Sequence, residues 1–270
     1  MLLQRTLLSI AGSDPSGGAG IQADLKTMTT IGVYGATAIT CLTVQNAKGV
    51  LAIHPLNVDY IKAQVKAVFD DHNVTHIKIG MTGNDTIIHC LAQLLDPFTG
   101  EVIYDPVLAS TTGEQLFTGK TVTTIRKKLL PNVSYLTPNR MELQLLSNRS
   151  TTTTKEAIAG ARDILKQYPY MKGILVKGGH IEESEATISD FLVQPDEPVV
   201  ASTRQRLHNP NLHGTGCTYS SAFASYLSLE NTPAVAFQMA GEYMDRIIRA
   251  GKERSVSISP SNGPLLHFLS

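Results

Sequence analysis

The chain has 270 residues, of which 42% are hydrophobic and 17% charged, and its formal net charge at pH 7 is zero. This length suits one large α/β domain, so we expect a single domain over residues 1–270. A neutral chain lacks the basic surface that binds nucleic acid or anionic membranes. The composition therefore argues against nucleic acid and membrane as partners, and any small anionic ligand must be held by a local site.

The N-terminus and the cysteines indicate the compartment. Residues 1–10 are apolar, but the run ends at Gly12 and falls short of the roughly 18–20 residues that span a bilayer. It also lacks the basic start of a signal peptide. The three cysteines, Cys41, Cys90 and Cys217, are far apart and form no CxxC pair, which argues against a disulfide framework or a zinc site. We expect a cytoplasmic protein.

Short apolar runs alternate with amphipathic stretches along the chain. The predicted strands are residues 7–11, 36–44, 76–79, 102–104, 134–136 and 174–176. The predicted helices are residues 58–70, 86–95, 122–130, 155–167 and 215–227. Residues 187–193 and 198–207 read as an antiparallel hairpin. Alternation of this kind predicts a parallel sheet with helices on both faces and ligands beyond the carboxyl ends of the strands.

The first segment with chemical character is residues 12–20, between the first strand and a helix that holds Asp24 and Lys26. It is neither a Walker A loop nor a GxGxxG loop. Its glycines fit a tight turn with Asp14 near a cap, or equally a loop that approaches a ligand. Asp24 either favours the helix dipole or accepts hydrogen bonds from a substrate amine and hydroxyl.

A second glycine segment comprises residues 213–218, His-Gly-Thr-Gly-Cys-Thr, and opens a helix of small residues. Such a helix start offers unpaired backbone N–H groups and the positive end of the dipole, which suit a phosphoryl group in transfer. Cys217 lies in the first turn, where the pKa of a thiol is expected to fall. The alternative is a small buried cysteine that serves packing.

Oxygen-bearing side chains follow later strands. Asn139 and Glu142 have the spacing of a helix capping box, and the same oxygens suit Mg²⁺, which takes few protein ligands and keeps several waters. Asp105 ends a strand, and either orients metal-bound water or only terminates that strand. The sequence alone leaves these alternatives open.

Three further side chains stand at strand ends. Lys177 precedes two glycines and suits a nucleotide phosphate, although a solvated lysine is the ordinary interpretation. The Gln45 amide is able to read a heteroaromatic ring edge as donor and acceptor. Met81 suits an adaptable apolar wall. Gln45 and Met81 are equally compatible with ordinary strand-end and core positions.

The order of these segments, more than any one of them, resembles the hydroxymethylpyrimidine/phosphomethylpyrimidine kinases of thiamine synthesis, within the ribokinase-like superfamily. The resemblance runs from about residue 6 to about residue 268. Residues 13–27 and 213–218 are its most specific motifs. Its remaining segments are Gln45-Asn46, 78–81, 105–107, 137–142 and 177–180.

The resemblance implies a ribokinase-like three-layer α/β sandwich, usually a homodimer, that uses ATP and Mg²⁺ to phosphorylate 4-amino-5-hydroxymethyl-2-methylpyrimidine and then its monophosphate. The residues implied for the pyrimidine pocket are Gly12, Asp24, Gln45, Met81 and Val107. Those implied for catalysis are Gly214, Thr215 and Gly216, as an anion hole, together with Cys217. Those implied for ATP are Lys177, Asn139 and His213, and those for the metal are Asp105, Asn139 and Glu142.

Most ribokinase-like enzymes place Asp at the position of Cys217, whereas this group and this chain have Cys. We hypothesise that its thiolate accepts the proton of the substrate hydroxyl. The chain also departs from the group's usual pattern at three positions: Leu108, where Met is frequent, Thr111, where Lys is frequent, and Leu266, where a polar residue is usual. Loss of that lysine leaves Lys177 as the main phosphate contact.

Two rival functions remain. A pyridoxal kinase of the same branch shares the Gly-Cys loop, and there Cys217 would add to the aldehyde of pyridoxal. Gln45-Asn46 favours the pyrimidine enzyme, and dual activity is compatible with the motifs. A regulatory binding protein that has lost turnover is the other rival. Against it stand the intact residues Asp24, Lys177, Asn139, Glu142 and Cys217.

Overall fold

A computed structural model describes residues 4–108, 119–178, 186–207, 209, 211–252, 254–258 and 263–269. The predictions that concern Thr111, Gly179 and His180 lie outside the described residues. Within them one sheet has nine strands, in the order β3-β2-β1-β4-β5-β6-β7-β8-β9. The strands are β1 (Arg5–Ser13), β2 (Tyr34–Asn46), β3 (Gly49–Pro55), β4 (Asn73–Ile79), β5 (Glu101–Tyr104), β6 (Tyr135–Leu136), β7 (Gly173–Val176), β8 (Thr187–Val193) and β9 (Val200–Gln205).

The centre of the sheet is parallel and its two margins are antiparallel. Strands β2, β1, β4, β5, β6 and β7 run parallel to their neighbours. Strand β3 returns antiparallel along β2, and β8 and β9 form an antiparallel extension at the other margin. All six predicted strands and the predicted hairpin are confirmed, with ends that differ by a few residues. The sequence analysis missed β3, which mixes exposed and half-buried residues at the sheet edge.

Helices cover both faces of this sheet. They are α1 (Gly20–Ile31), α2 (Val58–Asp71), α3 (Asp85–Leu95), α4 (Gly119–Thr124), α5 (Arg140–Ser147), α6 (Thr154–Gln167), α7 (Thr215–Ser228) and α8 (Pro233–Ala250). None of the described helices is long and apolar enough to cross a membrane. Alternate strand residues serve opposite cores: Tyr104 packs in the core formed with α2 to α6, and Ile103 in the core formed with α1, α7 and α8. The predicted three-layer arrangement is confirmed.

Two helices differ from the prediction. The single helix predicted over residues 122–130 consists of α4, a π-helical stretch (Ile125–Leu129) and a short 3₁₀ turn (Leu130–Asn132) that contains Pro131. Helix α8 was missed, although Thr232 caps it and Pro233 stands at its first position. It completes the cover of the face that carries the starts of α1 and α7.

Candidate active site

The two glycine segments meet, although about 200 residues separate them. His213 Nε2 lies 2.8 Å from Asp14 Oδ2. Gly214 has a φ of 83°, and a Cβ atom there would lie 1.7 Å from the carbonyl oxygen of Gly18. Only glycine tolerates both the backbone conformation and this contact. The predicted convergence of the two loops is confirmed.

Asp14 organises the first loop. Its carboxylate accepts hydrogen bonds from the backbone N–H groups of Ser16 (2.8 Å), Gly18 (3.1 Å) and Ala19 (2.8 Å). Burial alone would raise the pKa of Asp14, but these bonds and the one with His213 outweigh it and lower the pKa from 3.8 to about 2. Asp14 is thus an ionised structural centre, a role that its position near a predicted cap did not reveal.

Four residues predicted for the acceptor pocket, Gly12, Gln45, Met81 and Val107, stand at or just beyond strand ends. A Cβ atom on Gly12 would lie 2.8 Å from Cys41 Sγ and 3.6 Å from Met81 Sδ, so backbone and methionine approach closely. Gln45 Nε2 lies 3.1 Å from His213 Nε2. Val107 is half-exposed beyond the end of β5, and its N–H donates to the carbonyl of Asp105 at 2.8 Å. Each of these residues is a strand-end group, as expected for an open α/β sheet.

Asp24 is a different case, because it lies completely buried below this loop. Its two oxygens accept hydrogen bonds from Ser9 (2.5 Å), Ser221 (2.6 Å) and Lys78, whose Nζ is 3.0 Å from both of them. Helix α1 begins at Gly20, so Asp24 is beyond the first turn and its suggested dipole role is wrong. With four hydrogen bonds already accepted, the carboxylate supports the floor of the site.

Lys78 is the functional candidate that sequence reasoning overlooked. Its side chain is completely buried and ion-paired with Asp24. Burial lowers the pKa of Lys78, but the negative charge of Asp24, with a smaller effect of Asp105, outweighs it and raises the pKa. The only available signal was a lysine inside an otherwise apolar strand, where a charge is expensive unless paired.

Cys217 lies in the first turn of α7, as predicted, but the expected fall in its pKa is wrong. Burial raises the pKa of the thiol to about 11, against the opposing effects of Lys78 and of a backbone hydrogen bond from Gly20. The nearby carboxylates Asp24 and Asp105 add to the rise. Desolvation therefore outweighs the helix end, and the group is a neutral thiol at pH 7.

The other side of the α7 start carries charge. Lys177 Nζ donates to Asp105 Oδ1 at 2.7 Å and lies 3.9 Å from Glu142 Oε2. A Cβ atom on Gly216 would lie 3.4 Å from Lys177 Nζ and 3.9 Å from Asp105 Oδ2. The structure thus brings Lys177, Asp105 and Glu142 together over the anion hole that was predicted at residues 214–216.

This cluster carries more negative than positive groups. Asp105 Oδ2 is buried and has no hydrogen-bond partner among the described residues. Burial raises the pKa of Glu142, Asp105 raises it further, and Lys177 opposes both. No group of three or more His, Cys, Asp or Glu side chains that would hold a metal ion exists within the described part of the chain. Two carboxylates, one with an oxygen to spare, nevertheless fit Mg²⁺, which needs few protein ligands.

Asn139 serves the backbone. Its side-chain oxygen accepts from the N–H of Glu142 at 2.9 Å, and Glu142 Oε2 accepts from the N–H of Asn139 at 2.7 Å. The capping-box interpretation is confirmed, while the metal and ATP roles of Asn139 stay predictions. The ring of His213 packs on Gly18 and bonds Asp14, and its ATP role stays a prediction.

A buried ion-pair network holds the strand end that carries Lys177. The N–H of Gly178 donates to Asp190 Oδ1 at 2.7 Å, and Arg204 pairs with Asp190 and, at 3.0 Å, with Asp245. A Cβ atom on Gly178 would lie 1.6 Å from the carbonyl oxygen of Ser189. Asp190, Arg204 and Asp245 come from β8, β9 and α8, so no short sequence motif predicts this network.

The first turn of α7, the buried Lys78, Asp105 after β5 and Glu142 at the start of α5 meet on this three-layer sheet, an arrangement that defines a ribokinase-like phosphotransferase. The sequence model of the family described as "Phosphomethylpyrimidine kinase" matches residues 14–265. A relative from Rhizobium meliloti, named hydroxymethylpyrimidine/phosphomethylpyrimidine kinase, is 37% identical over 97% of this chain and 96% of its own. The chain belongs to the phosphomethylpyrimidine kinase family, and the predicted family and kinase class are confirmed.

Solved structures agree with this assignment. Phosphomethylpyrimidine kinase from Clostridium difficile has a TM-score of 0.77 and 34% identity, covering 90% of this chain and 98% of that one. The ADP complex of Bacillus subtilis pyridoxal kinase has a TM-score of 0.83 and 28% identity, covering 98% and 97%. The backbone fold is thus shared with a phosphomethylpyrimidine kinase and with a pyridoxal kinase, while the sequence identity is higher with the phosphomethylpyrimidine kinase.

Proposed function

We propose that this protein transfers the terminal phosphoryl group of ATP to the hydroxymethyl group of 4-amino-5-hydroxymethyl-2-methylpyrimidine, and then to the resulting monophosphate, in thiamine synthesis. The observation that carries the proposal is the contact between the two glycine loops at the start of α7. His213 at this contact lies 3.1 Å from Gln45, and Gly216 in the first turn of α7 faces Lys177 and Asp105, so acceptor-side and charged residues flank one helix start.

Binding on the acceptor side is a matter of shape and hydrogen bonds. Gly12 lets the backbone approach the ring, and Met81 and Val107 offer apolar contact around it. The Gln45 amide reads the ring edge. Asp24 contributes from below, because its hydrogen bonds with Lys78 and Ser221 tie α1 to β4 and α7.

On the donor side, Lys177 and the N–H groups of the first turn of α7 hold the transferring phosphoryl group. Gly216 and Cys217 lie in that turn, where the helix itself supplies no acceptor for the N–H groups. Asp105 and Glu142 would hold Mg²⁺, which would supply positive charge to stabilise the transferring phosphoryl group. Such positioning and charge stabilisation supply most of the rate in phosphoryl transfer.

Cys217 acts in this proposal as a neutral thiol beside the reacting oxygen. In a loose transition state the bond to the leaving group is largely broken before the acceptor hydroxyl must lose its proton. That proton is released late, to the transferred phosphoryl group or to water, so no thiolate is needed beforehand. This replaces the general-base hypothesis for Cys217.

A B6 vitamer kinase is the second candidate, favoured by the backbone similarity to pyridoxal kinase. The higher identity with pyrimidine kinases places it second. We also propose a cytoplasmic, single-domain homodimer. The exposed apolar side chains Leu42, Val44 and Leu51 on β2 and β3 form an edge surface suited to a second copy.

The test is ADP release with hydroxymethylpyrimidine, its monophosphate, pyridoxal and pyridoxine, each with and without Mg²⁺. We expect kcat/KM for the pyrimidines to exceed that for the pyridines by at least about tenfold, and only with Mg²⁺. A preference for the pyridines would reverse the assignment. Silence with all four would favour a regulatory binding protein.

A further inference from the structure

His213 stands between two groups and offers the same ring nitrogen to both. Its Nε2 lies 2.8 Å from Asp14 Oδ2 and 3.1 Å from the Gln45 side-chain atom placed as Nε2. The ring is buried, as is Asp14, so no bulk water intervenes to relax the requirement for matched donors and acceptors. The protonation state of one nitrogen therefore decides how its neighbours are oriented.

Asp14 fixes that state. An ionised carboxylate only accepts hydrogen bonds, and Asp14 already collects three from backbone N–H groups. His213 Nε2 must carry a proton to bond it, because a lone pair there would face the negative oxygen. A protonated ring nitrogen cannot also accept from the NH₂ group of Gln45.

The Gln45 amide resolves the conflict by its orientation. The oxygen and nitrogen of a glutamine amide have nearly the same shape, so the hydrogen-bond network decides which is which. Because the one hydrogen on His213 Nε2 points at Asp14 and is shared with Gln45, the carbonyl oxygen of Gln45 faces the ring and its NH₂ occupies the other branch. Gln45 is half-buried near the end of β2, and Thr43 on the same strand donates to the carbonyl of Ser13 in the first loop, so the second branch of the amide has partial exposure beside that loop.

We propose that Asp14 and His213 together orient the Gln45 amide, so that it presents its NH₂ group to the acceptor pocket and selects a ring with an unprotonated nitrogen at that edge. Asp14 and His213 are positioning residues, and Gln45 determines specificity. The ring's identity rests on the proposed function, whereas the orientation of the amide does not.

The orientation is tested on the ligand-free protein by ¹⁵N NMR with labelled histidine. We expect the proton of the His213 ring on Nε2 at neutral pH, with the signal assigned by its loss in His213→Asn. Should that variant not fold, Gln45→Ala assigns the signal by its shift. A neutral ring with the proton on Nδ1 would overturn the proposal, whatever the substrate is.

The selection is tested by kinetics with the aminopyrimidine and the two analogues in which one ring nitrogen is replaced by C–H. One analogue should lose about 10–100-fold in kcat/KM, because the NH₂ of Gln45 is then left without an acceptor. Gln45→Glu keeps an oxygen towards His213 but removes the donor, so the parent compound should lose a similar factor through its own KM. The KM for ATP should stay unchanged.

The matched control is Gln93→Glu, the same chemical change on the exposed face of α3, which should leave both KM values as they are. Equal turnover of the parent and both analogues by the unmodified protein would overturn the selection, and so would full activity of Gln45→Glu. Absence of turnover with any acceptor would instead contradict the proposed function, and the NMR result would still decide the orientation.

Discussion

The two sides of the α7 start differ in how their charges are balanced. On the acceptor side Asp14 and Asp24 are buried, and each has hydrogen-bond donors at both oxygens. On the donor side Asp105 has one buried oxygen without a partner among the described residues, and burial raises the pKa of Glu142. Carboxylates whose oxygens all accept hydrogen bonds form a closed network that fixes the local backbone. A buried carboxylate oxygen without a donor instead favours the binding of a cation. The acceptor side is therefore expected to be rigid, and the donor side is expected to bind the charged metal and phosphate groups.

The largest effect is expected from disrupting the buried ion pair between Asp24 and Lys78 on the acceptor side. Asp24→Asn leaves the buried ammonium of Lys78 without its counter-charge, so the free energy of unfolding should fall by roughly 3–5 kcal/mol. Denaturant unfolding measures it. The double variant Asp24→Asn/Lys78→Met should recover part of the loss. Unchanged stability, with only the acceptor KM raised, would instead return Asp24 to the substrate contacts.

On the donor side, Lys177→Met should cost activity. It removes the ammonium that faces the transferring phosphoryl group and leaves two carboxylates facing each other, so kcat/KM should fall about 10²–10³-fold in steady-state assays. Lys172→Met is the control, because Lys172 is exposed and pairs with Glu101 away from the site. A loss of equal size in the control would show that Lys177 has no special role.

The sequence reveals Lys177 as a candidate functional residue, but it does not reveal the Lys78–Asp24 ion pair. Lys177 was found because a lysine beside glycines at a strand end is a recognisable pattern. The Lys78–Asp24 pair was missed because its partners are 54 positions apart and meet only once β1 and β4 are neighbours. The resemblance gave Asp24 a ligand role, and only the four hydrogen bonds inside the protein revealed another.

Burial in the folded protein is likewise not visible in the sequence, which limits predictions of side-chain pKa values and of strands at the exposed sheet edge. The central strands were predictable because they are buried on both faces and therefore continuously apolar. Strand β3 mixes exposed residues and has no such signature. The pKa of Cys217 was predicted in the wrong direction, since a helix start is visible in the sequence but the burial that outweighs it is not.

Lowering the pH should reduce the free energy of unfolding through protonation of Asp14 on the acceptor side. Folding lowers the pKa of Asp14 from 3.8 to about 2, so its contribution to stability is complete above pH 3.8 and is lost as the pH falls towards 2. That contribution is about 2 kcal/mol. In urea unfolding at several pH values, Asp14→Asn should be less stable than the parent at pH 5, and the difference should shrink towards pH 2.

The control for this titration is Glu197→Gln, an exposed position whose difference from the parent should stay near zero throughout. A difference between the parent and Asp14→Asn that does not change with pH would mean that the loop is held by packing, without help from the charge of Asp14.

The smallest effect is expected at the boundary between the two sides. Cys217→Ala removes a thiol that is neutral at pH 7, so kcat should fall by less than about tenfold, whereas loss of a general base typically costs about 10²–10⁴-fold. Steady-state kcat between pH 6 and 9 measures it, with Cys90→Ala, away from the site, as control. A loss in the larger range would restore the thiolate hypothesis.

The most direct measurement is a crystal structure with hydroxymethylpyrimidine and a non-hydrolysable ATP analogue bound together. We expect the hydroxymethyl oxygen about 3–3.5 Å from the terminal phosphorus, above the N–H groups of residues 214–216, with Lys177 on the phosphate. Ligands in separate clefts, or a phosphate chain that ends away from the start of α7, would contradict it.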